Sequence, residues 1–212
     1  MNGLPKEPIW FVRCFVLVFG IMLLGLGITF SIQGGLGVNA WTVFHVGISS
    51  LTGLSVGRVT QFVGLVLLAL GAVMLRQPPG VGTVINMLLV GWFVDLFMGL
   101  PWPHLGHWGY QLLYVMVGIS LIGMGTGMYI STNFGAGPRD AIMLGLSRVW
   151  KKPVGRIRSG MELTVLVVGF LMGGPVGVGT LFSVMVGPIV QWSLQGMNRY
   201  WEVRWHVQRR HA

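Results

Sequence analysis

The sequence predicts an all-α polytopic membrane protein made of two sequence-related halves, with six long transmembrane helices and two short ones. Three observations carry this prediction. The 212 residues are 53% hydrophobic and 9% charged, where soluble domains average roughly 25% charged, and the mean hydropathy is +0.74. Long apolar runs recur from Ile9 almost to the C-terminus and leave no stretch for a separate soluble domain. Matching blocks of residues also recur in the same order in the two halves of the chain.

Taken in order, the apolar segments are 9–32, 39–54, 58–76, 80–99, 110–131, 139–150, 157–173 and 177–198. Six of these reach the length of about 17–25 residues needed to cross a hydrocarbon core about 30 Å thick. The first follows Lys6 and shows no small-residue cleavage site, so it reads as a retained helix rather than a signal peptide. Segments 39–54 and 139–150 are undersized, as re-entrant or half-helices are. Cys14 is the single cysteine, which excludes an internal disulfide.

The repeat is visible residue by residue. Gly25, Gly27, Ser31, Gly35 and Gly37 fall on Gly125, Gly127, Ser131, Gly135 and Gly137. After small slips, Val56-Gly57-Arg58 meets Val154-Gly155-Arg156, and Gly80-Val81-Gly82-Thr83 meets Gly177-Val178-Gly179-Thr180. The expected organisation is a cytoplasmic N-terminus over 1–9, a first repeat over 10–100 and a linker over 101–109 around Pro101-Trp102-Pro103. A second repeat over 110–198 and a basic cytoplasmic tail over 199–212 follow. If the short segments cross, the halves are parallel, with Arg76 and Arg139 outside. If they are re-entrant, the halves are inverted and only Arg58 is outside. Both arrangements place the C-terminus and the Lys151–Arg158 loop inside, and the shared V-G-R loop slightly favours the parallel one.

A formal charge of +9 would suggest nucleic acid in a soluble protein. Here the bases gather at Lys151, Lys152, Arg156 and Arg158 and at Arg199, Arg204, Arg209 and Arg210, where cytoplasmic loops meet anionic headgroups. The bilayer is therefore the expected partner, and nucleic acid is not.

Candidate site residues gather at the two G-x-G turns. Thr132-Asn133-Phe134-Gly135-Ala136-Gly137-Pro138-Arg139-Asp140-Ala141 sets an Arg beside an Asp after a long apolar run, and Gln33-Gly34-Gly35-Leu36-Gly37-Val38-Asn39-Ala40 is its uncharged counterpart. Pro138 suits a first helical turn, Asp140 suits the positive end of a helix dipole, and Asn39 suits an N-cap. Two half-helix N-termini plus Arg139 would attract an anion, although a capped helix with Arg139 held by a carbonyl or headgroup accounts for the same residues.

Thr42, His45, Ser49 and Thr52 share one helical face. His45 has no second ligand at helical spacing, so no metal site is expected. Glu162 lies about 10 Å into its helix by rise per residue, with Arg158 one turn earlier as its local partner. Asp95, Asn86 and Gln61 also lie inside apolar runs. Gly174–Thr180 has a P-loop cadence without its lysine, and no nucleophile–base or metalloprotease pattern is present, so neither an enzyme nor a cofactor is expected.

These residues resemble a family. Leu36-Gly37-Val38-Asn39-Ala40-Trp41, Leu51-Thr52-Gly53-Leu54-Ser55-Val56-Gly57, Pro79-Gly80-Val81-Gly82-Thr83, Gly135-Ala136-Gly137-Pro138-Arg139-Asp140 and Gly187-Pro188-Ile189-Val190-Gln191 are similar to the YczE-type bacterial membrane proteins of the YczE/YyaS/YitT group. Asn39-Ala40-Trp41-Thr42 departs from the Ser/Pro-Trp-Asp pattern expected there, which weighs against any role needing an acid in both repeats. The resemblance implies a multi-pass protein of the bacterial cytoplasmic membrane and supplies no substrate. The expected function is a small secondary transporter or permease-like protein. Arg139, Asp140, Glu162, Asn39 and His45 would bind a small anionic solute between the repeats. The alternative is a non-transporting scaffold or regulator of a membrane or cytoplasmic protein partner. A homo-oligomer is compatible with either.

Overall fold

In the computed structural model, residues 7–74, 80–103, 106–135 and 137–210 are described, with the side chains of the last helix described to Glu202. Every element among them is helical: α1 (Glu7–Gly34), α2 (Ala40–Thr52), α3 (Val56–Met74), α4 (Val81–Met98), α5 (Trp108–Ser131), α6 (Pro138–Trp150), α7 (Val154–Leu171), α8 (Val178–Phe182), a 3-10 turn (Ser183–Met185) and α9 (Val186–Arg210). Residues 1–6, Arg76, Pro79 and Ala136, to which the sequence reading assigned places, lie outside the described residues, as do the side chains of Arg204, Arg209 and Arg210.

The helices stop where the local chemistry requires. Past α1, Gly35 and Gly37 take φ of +68° and +95°, conformations open to glycine at little steric cost. Beyond α5, Asn133 and Gly135 take φ of +57° and +134°. Asn39 caps α2 by accepting from the Thr42 amide at 3.1 Å, and Gly53 closes it in the left-handed conformation. Pro138 opens α6 at its first turn, as expected.

Four helices are long and apolar enough to cross a membrane by length and composition: α1, α3, α4 and α5. The sequence reading expected six. α7 falls short because Arg156, Arg158 and Glu162 lower its hydropathy. The segment read as one span over 177–198 is instead divided into α8, the 3-10 turn and α9. Pro188 then falls in the first turn of α9, where its missing N–H costs no intrahelical bond. α9 continues through 199–210, where no Gly or Pro interrupts it.

Helix directions follow from which residues meet. Gly20 lies against the Gly125 carbonyl and Gly27 against the Gly118 carbonyl, so closely that a methyl group would come within 2.8 and 2.7 Å of them. α1 and α5 are therefore antiparallel and pressed backbone to backbone, as small residues allow where lipid offers no hydrophobic drive. Parallel halves would require α1 and α5 to point the same way, so the mild preference read from the V-G-R loop does not hold.

α4 runs parallel to α1, with Gly25 against Phe93 and Gln33 Nε2 donating to Met98 Sδ at 3.8 Å. α3 runs antiparallel to α4, with Gly57 against Gly91 and Asp95 and Gly64 against Met87. α1 thus ends, and α3 begins, at one end of the bundle, here called the upper end. α2 finishes there and starts deeper, with Trp41 packed at the level of Val63 and His45 beside Thr60. At 13 residues and about 1.5 Å each, it reaches roughly 20 Å.

The buried core centres on Leu17, Ile21, Val90, Phe93, Val94 and Tyr129, with a second cluster of Val115, Ile119, Ile122 and Val186. The outer surface is unusually apolar. Phe11, Phe15, Phe62, Val73, Phe170 and Leu171 all stand exposed, more contiguous apolar area than water tolerates and what a bilayer covers. Inside, hydroxyls return to backbone carbonyls: Thr29 donates to Gly25 O, Ser31 to Gly27 O, and Ser193 of α9 to Met124 O of α5 at 3.0 Å.

The two helix breaks dock across the chain. The Gly179 amide donates to Leu36 O at 2.7 Å, and the Gly82 amide donates to Phe134 O at 2.9 Å. A methyl at Gly179 would run into the Gly37 carbonyl, whereas Gly160 in the middle of α7 faces open space. We expect Gly179→Ala to destabilise the purified protein by about 1–3 kcal/mol from overpacking. Gly160→Ala should be neutral or stabilising by up to about 1 kcal/mol through helix propensity. Thermal melting of both variants in the same detergent checks this ordering.

Candidate functional site

A cavity of about 490 Å³ lies at the centre of the bundle and is bounded by residues from both halves of the chain. Such a volume suits a small-molecule ligand. Helix ends place its polar groups. Asn39 and His45 come from α2, Thr60 from α3, Asn86 from α4, Arg139 from α6, and Arg158 and Glu162 from α7. Leu24, Ile28, Leu67, Met87, Val90 and Ile122 add apolar wall to the same cavity.

Four of the five sequence-predicted site residues, Arg139, Glu162, Asn39 and His45, line this cavity. The fifth, Asp140, does not. It borders a much smaller pocket beside Trp41, Met143 and Met161, into which Arg139, Arg158 and Glu162 also reach. The reason is the helix itself: Asp140 follows Arg139 by one residue and so projects about 100° around the axis, from 3.6 residues per turn. There Asp140 Oδ2 accepts from the Tyr129 hydroxyl at 3.0 Å, and Oδ1 lies 3.7 Å from Arg139 Nε. It makes no cap hydrogen bond at the start of α6, whose N-cap, Gly137, has no side chain to offer. Asp140 therefore ties α6 to α5.

The Arg139 guanidinium meets one carboxylate among the described residues, through that 3.7 Å contact, which leaves most of its five N–H donors uncommitted to it. Glu162 pairs with Arg158 as the one-turn spacing predicted, Nε to Oε1 at 2.9 Å. Burial is partial for both, so the pair is a modest contribution to stability.

The polar stripe of α2 divides. Thr42 and His45 line the cavity, while Ser49 donates to Leu54 O at 2.6 Å and Thr52 to Ile48 O at 2.8 Å. His45 Nδ1 lies 3.2 Å from Thr60 Oγ1, whose single proton goes to Val56 O at 2.8 Å. Thr60 can then only accept, so a neutral His45 carries its proton on Nδ1 and keeps Nε2 as an acceptor.

Among the three other polar residues noted within apolar runs, two are structural. Asp95 accepts from Ser55 Oγ at 2.6 Å and from the Gly57 amide at 2.8 Å, holding the start of α3, and Gln61 Nε2 donates to Leu88 O at 2.7 Å. Asn86 differs. It is 7% exposed, its Nδ2 has no hydrogen-bond partner, and it lines the cavity. A buried amide left unbonded costs about 1–3 kcal/mol, which a ligand acceptor would recover.

Sequence reasoning missed Tyr129 and Thr60. Tyr129 sits in an apolar run that reads as lipid-facing or core, and nothing local links it to Asp140. Thr60 was passed over because its partner, His45, belongs to another helix. No group of three or more His, Cys, Asp or Glu able to hold a metal exists among the described residues.

Residues 11–195 match the family of unknown function DUF6198. The chain is 34% identical over 177 residues to the uncharacterized membrane protein YczE of Bacillus subtilis, covering 82% of each chain. It is 33% identical over 185 residues to an uncharacterized protein of Haemophilus influenzae, covering 84% of this chain and 82% of that one. It is 31% identical over 190 residues to the uncharacterized protein YyaS of Bacillus subtilis, covering 85% and 94% respectively. No solved structure matches.

Two substitutions test how the site is held. Tyr129→Phe removes a hydrogen bond to a carboxylate, worth about 1.5–3 kcal/mol, and Asn39→Ala removes an N-cap worth about 1 kcal/mol. Thermal unfolding in detergent should fall for both, and further for Tyr129→Phe. A reversed order would mean that Asp140 is not what fixes α6.

Proposed function

The chain belongs to the family of unknown function DUF6198, and we propose that it is a small secondary transporter of anionic solutes, with its site between two inverted repeats. The observation that carries this reading is the central cavity bounded by both sequence-related halves, with short helices α2 and α6 opening into it at their N-termini. Broken helices at matching positions and a site at the repeat interface are the marks of secondary transporters.

In this reading α1, α3, α4, α5, α7 and α9 cross the membrane, and α2 and α6 each enter and leave on one side. The antiparallel meeting of α1 with its counterpart α5 supports inversion. Trp201, late in α9, donates to Ser131 Oγ at 3.2 Å and carries Arg13 over its ring at 5.3 Å, which gathers both ends of the chain's helical part at the lower end. Arg13, Lys151, Lys152, Arg156 and Arg199 then share that end, and among the described residues Arg58 marks the upper end. The lower end is the cytoplasmic face of the cell membrane by the positive-inside rule. Arg139 supplies the positive charge that holds the solute, while His45 Nε2 and the Glu162 carboxylate are the groups placed to exchange a coupled proton.

The exposed Lys151, Lys152 and Arg156 favour a second reading, docking of a cytoplasmic protein partner without transport. Uptake by proteoliposomes separates the two. We expect Arg139→Gln to melt within a few degrees of the unsubstituted protein and to bind an anionic solute about 10- to 100-fold more weakly. That range is the worth of one charge-assisted hydrogen bond. Uptake of no anion from a broad panel, with Arg139→Gln indistinguishable from the unsubstituted protein, would leave docking as the better account.

Topology is tested separately. In a Cys14→Ser background, a cysteine at Leu54 should react with an impermeant maleimide in intact cells, and one at Lys152 only after permeabilisation. Equal reactivity at both positions in intact cells would defeat the inverted six-span arrangement.

A further inference from the structure

The two halves pack alike except at one seam. In the first half α3 closes on α4: Gly57 sits against Gly91 and Asp95, Gly64 against Met87, and Gln61 Nε2 bonds Leu88 O. Laying the second half on the first sets Gly155, Ser159 and Glu162 of α7 opposite Val184, Pro188 and Trp192. These residues do not close. Gly155, Gly160 and Gly187 face open space, and Val184 and Trp192 are 78% and 71% exposed. Glu162 stands where the first half has Gly64, so a carboxylate replaces the glycine on which Met87 rests.

The open seam joins the central cavity, which is lined by Gly155, Ser159 and Glu162 on one edge and by Val184 and Gly187 on the other. With α7 and α9 taken as spans, as proposed above, the gap between them faces lipid and opens the cavity sideways to the bilayer. Its lining carries two kinds of group. The donors are the Arg139 guanidinium, with its 3.7 Å carboxylate contact, and the buried Nδ2 of Asn86, which has no partner among the described residues. Leu24, Ile28, Leu67, Met87, Val90 and Ile122 make an apolar wall beside them. Asp140 is turned out of this cavity and bonded to Tyr129, and Glu162 is paired with Arg158, so neither carboxylate neutralises these donors fully.

We infer that the ligand of this site is a single-chain anionic amphiphile, which enters from the membrane between α7 and α9 and places its acidic head on Arg139 and Asn86 and its chain along the apolar wall. This rests on the reading of the cavity as a transport site and names its substrate class. A water-soluble anion would need no opening to lipid and would leave the apolar wall uncovered. A two-chain phospholipid exceeds a cavity of about 490 Å³.

The test uses the full chain in nanodiscs of uncharged lipid, with 11-(dansylamino)undecanoate as the fluorescent probe. Saturable dansyl enhancement is expected. Palmitate should displace the probe, while methyl palmitate, acetate and inorganic phosphate should not. Arg139→Gln and Asn86→Leu should each weaken probe binding about ten-fold or more. Gly187→Trp, which fills the seam without touching the donors, should slow probe association about ten-fold with little change in melting temperature.

A second closure keeps the test independent of that variant. Bridging cysteines placed at Gly155 and Pro188 in a Cys14→Ser background with a bis-maleimide whose spacer carries a disulfide should block binding, and reducing the spacer should restore it. Displacement by acetate or phosphate as readily as by palmitate would overturn the amphiphile and keep the anion transporter. Absence of binding by every anion would end both. Probe binding unaffected by either closure, or a cysteine pair that links only between two copies of the chain, would overturn lateral entry and mark the seam as an interface.

Discussion

The rest of the structure depends on two backbone hydrogen bonds, Gly179 N–H to Leu36 O and Gly82 N–H to Phe134 O. Each joins a helix break in one half to the G-V-G-T turn of the other. A broken helix exposes amides and carbonyls, and within a bilayer each unsatisfied group costs several kcal/mol. Neither half carries within itself the partner for these groups. The breaks therefore exist only because the other half completes them, and the short helices that follow are aimed inward by that docking. Glycine is required at the contact because any side chain at Gly37, Gly177 or Gly179 would fall on opposing backbone.

Around that interlock the polar residues sort by whether the backbone or a neighbour has already claimed them. Asp95 and Gln61 are consumed in seating α3 on α4, and Thr29, Ser31, Ser193 and Thr132 return to carbonyls. Asp140 is consumed by Tyr129. Arg139 and Asn86 remain, one with a long contact and the other with a buried amide lacking a partner, and they face the same cavity. Arg13 Nε and Thr126 Oγ1 are also buried without a hydrogen-bond partner but lie outside this cavity, so it is the meeting of Arg139 and Asn86 on one lining that gives the cavity a chemical preference.

The seam between α7 and α9 differs from the tight contact between α3 and α4, although matching residue blocks flank both. Gly57 and Gly91 approach closely enough to exclude a methyl group, while their counterparts Gly155 and Pro188 stand apart. The replacement of Gly64 by Glu162 and of Gly91 by Pro188 removes the smooth surfaces on which α3 and α4 close. Close helix packing in a membrane needs such surfaces, because lipid matches apolar side chains as well as protein does. A few side-chain volumes thus decide which pair of helices meets and which leaves an opening.

Much of this was legible in the sequence because it is written in local chemistry. Hydropathy identified the helices, the G-x-G turns marked both breaks, Asn39 and Pro138 announced the starts of α2 and α6, and the one-turn spacing of Arg158 and Glu162 predicted their pair. Those signals depend on residues within a turn or two of one another. The direction of α5 against α1, the bond from Tyr129 to Asp140, the placement of Asp140 outside the main cavity and the division of the last segment at Ser183–Met185 depend on residues brought together from distant positions. Repeat matching could not choose between parallel and inverted halves because a sequence alignment carries no direction in space. The close approach of Gly20 to Gly125 and of Gly27 to Gly118, where backbone meets backbone, sets α1 and α5 antiparallel, and that direction exists only in the tertiary structure.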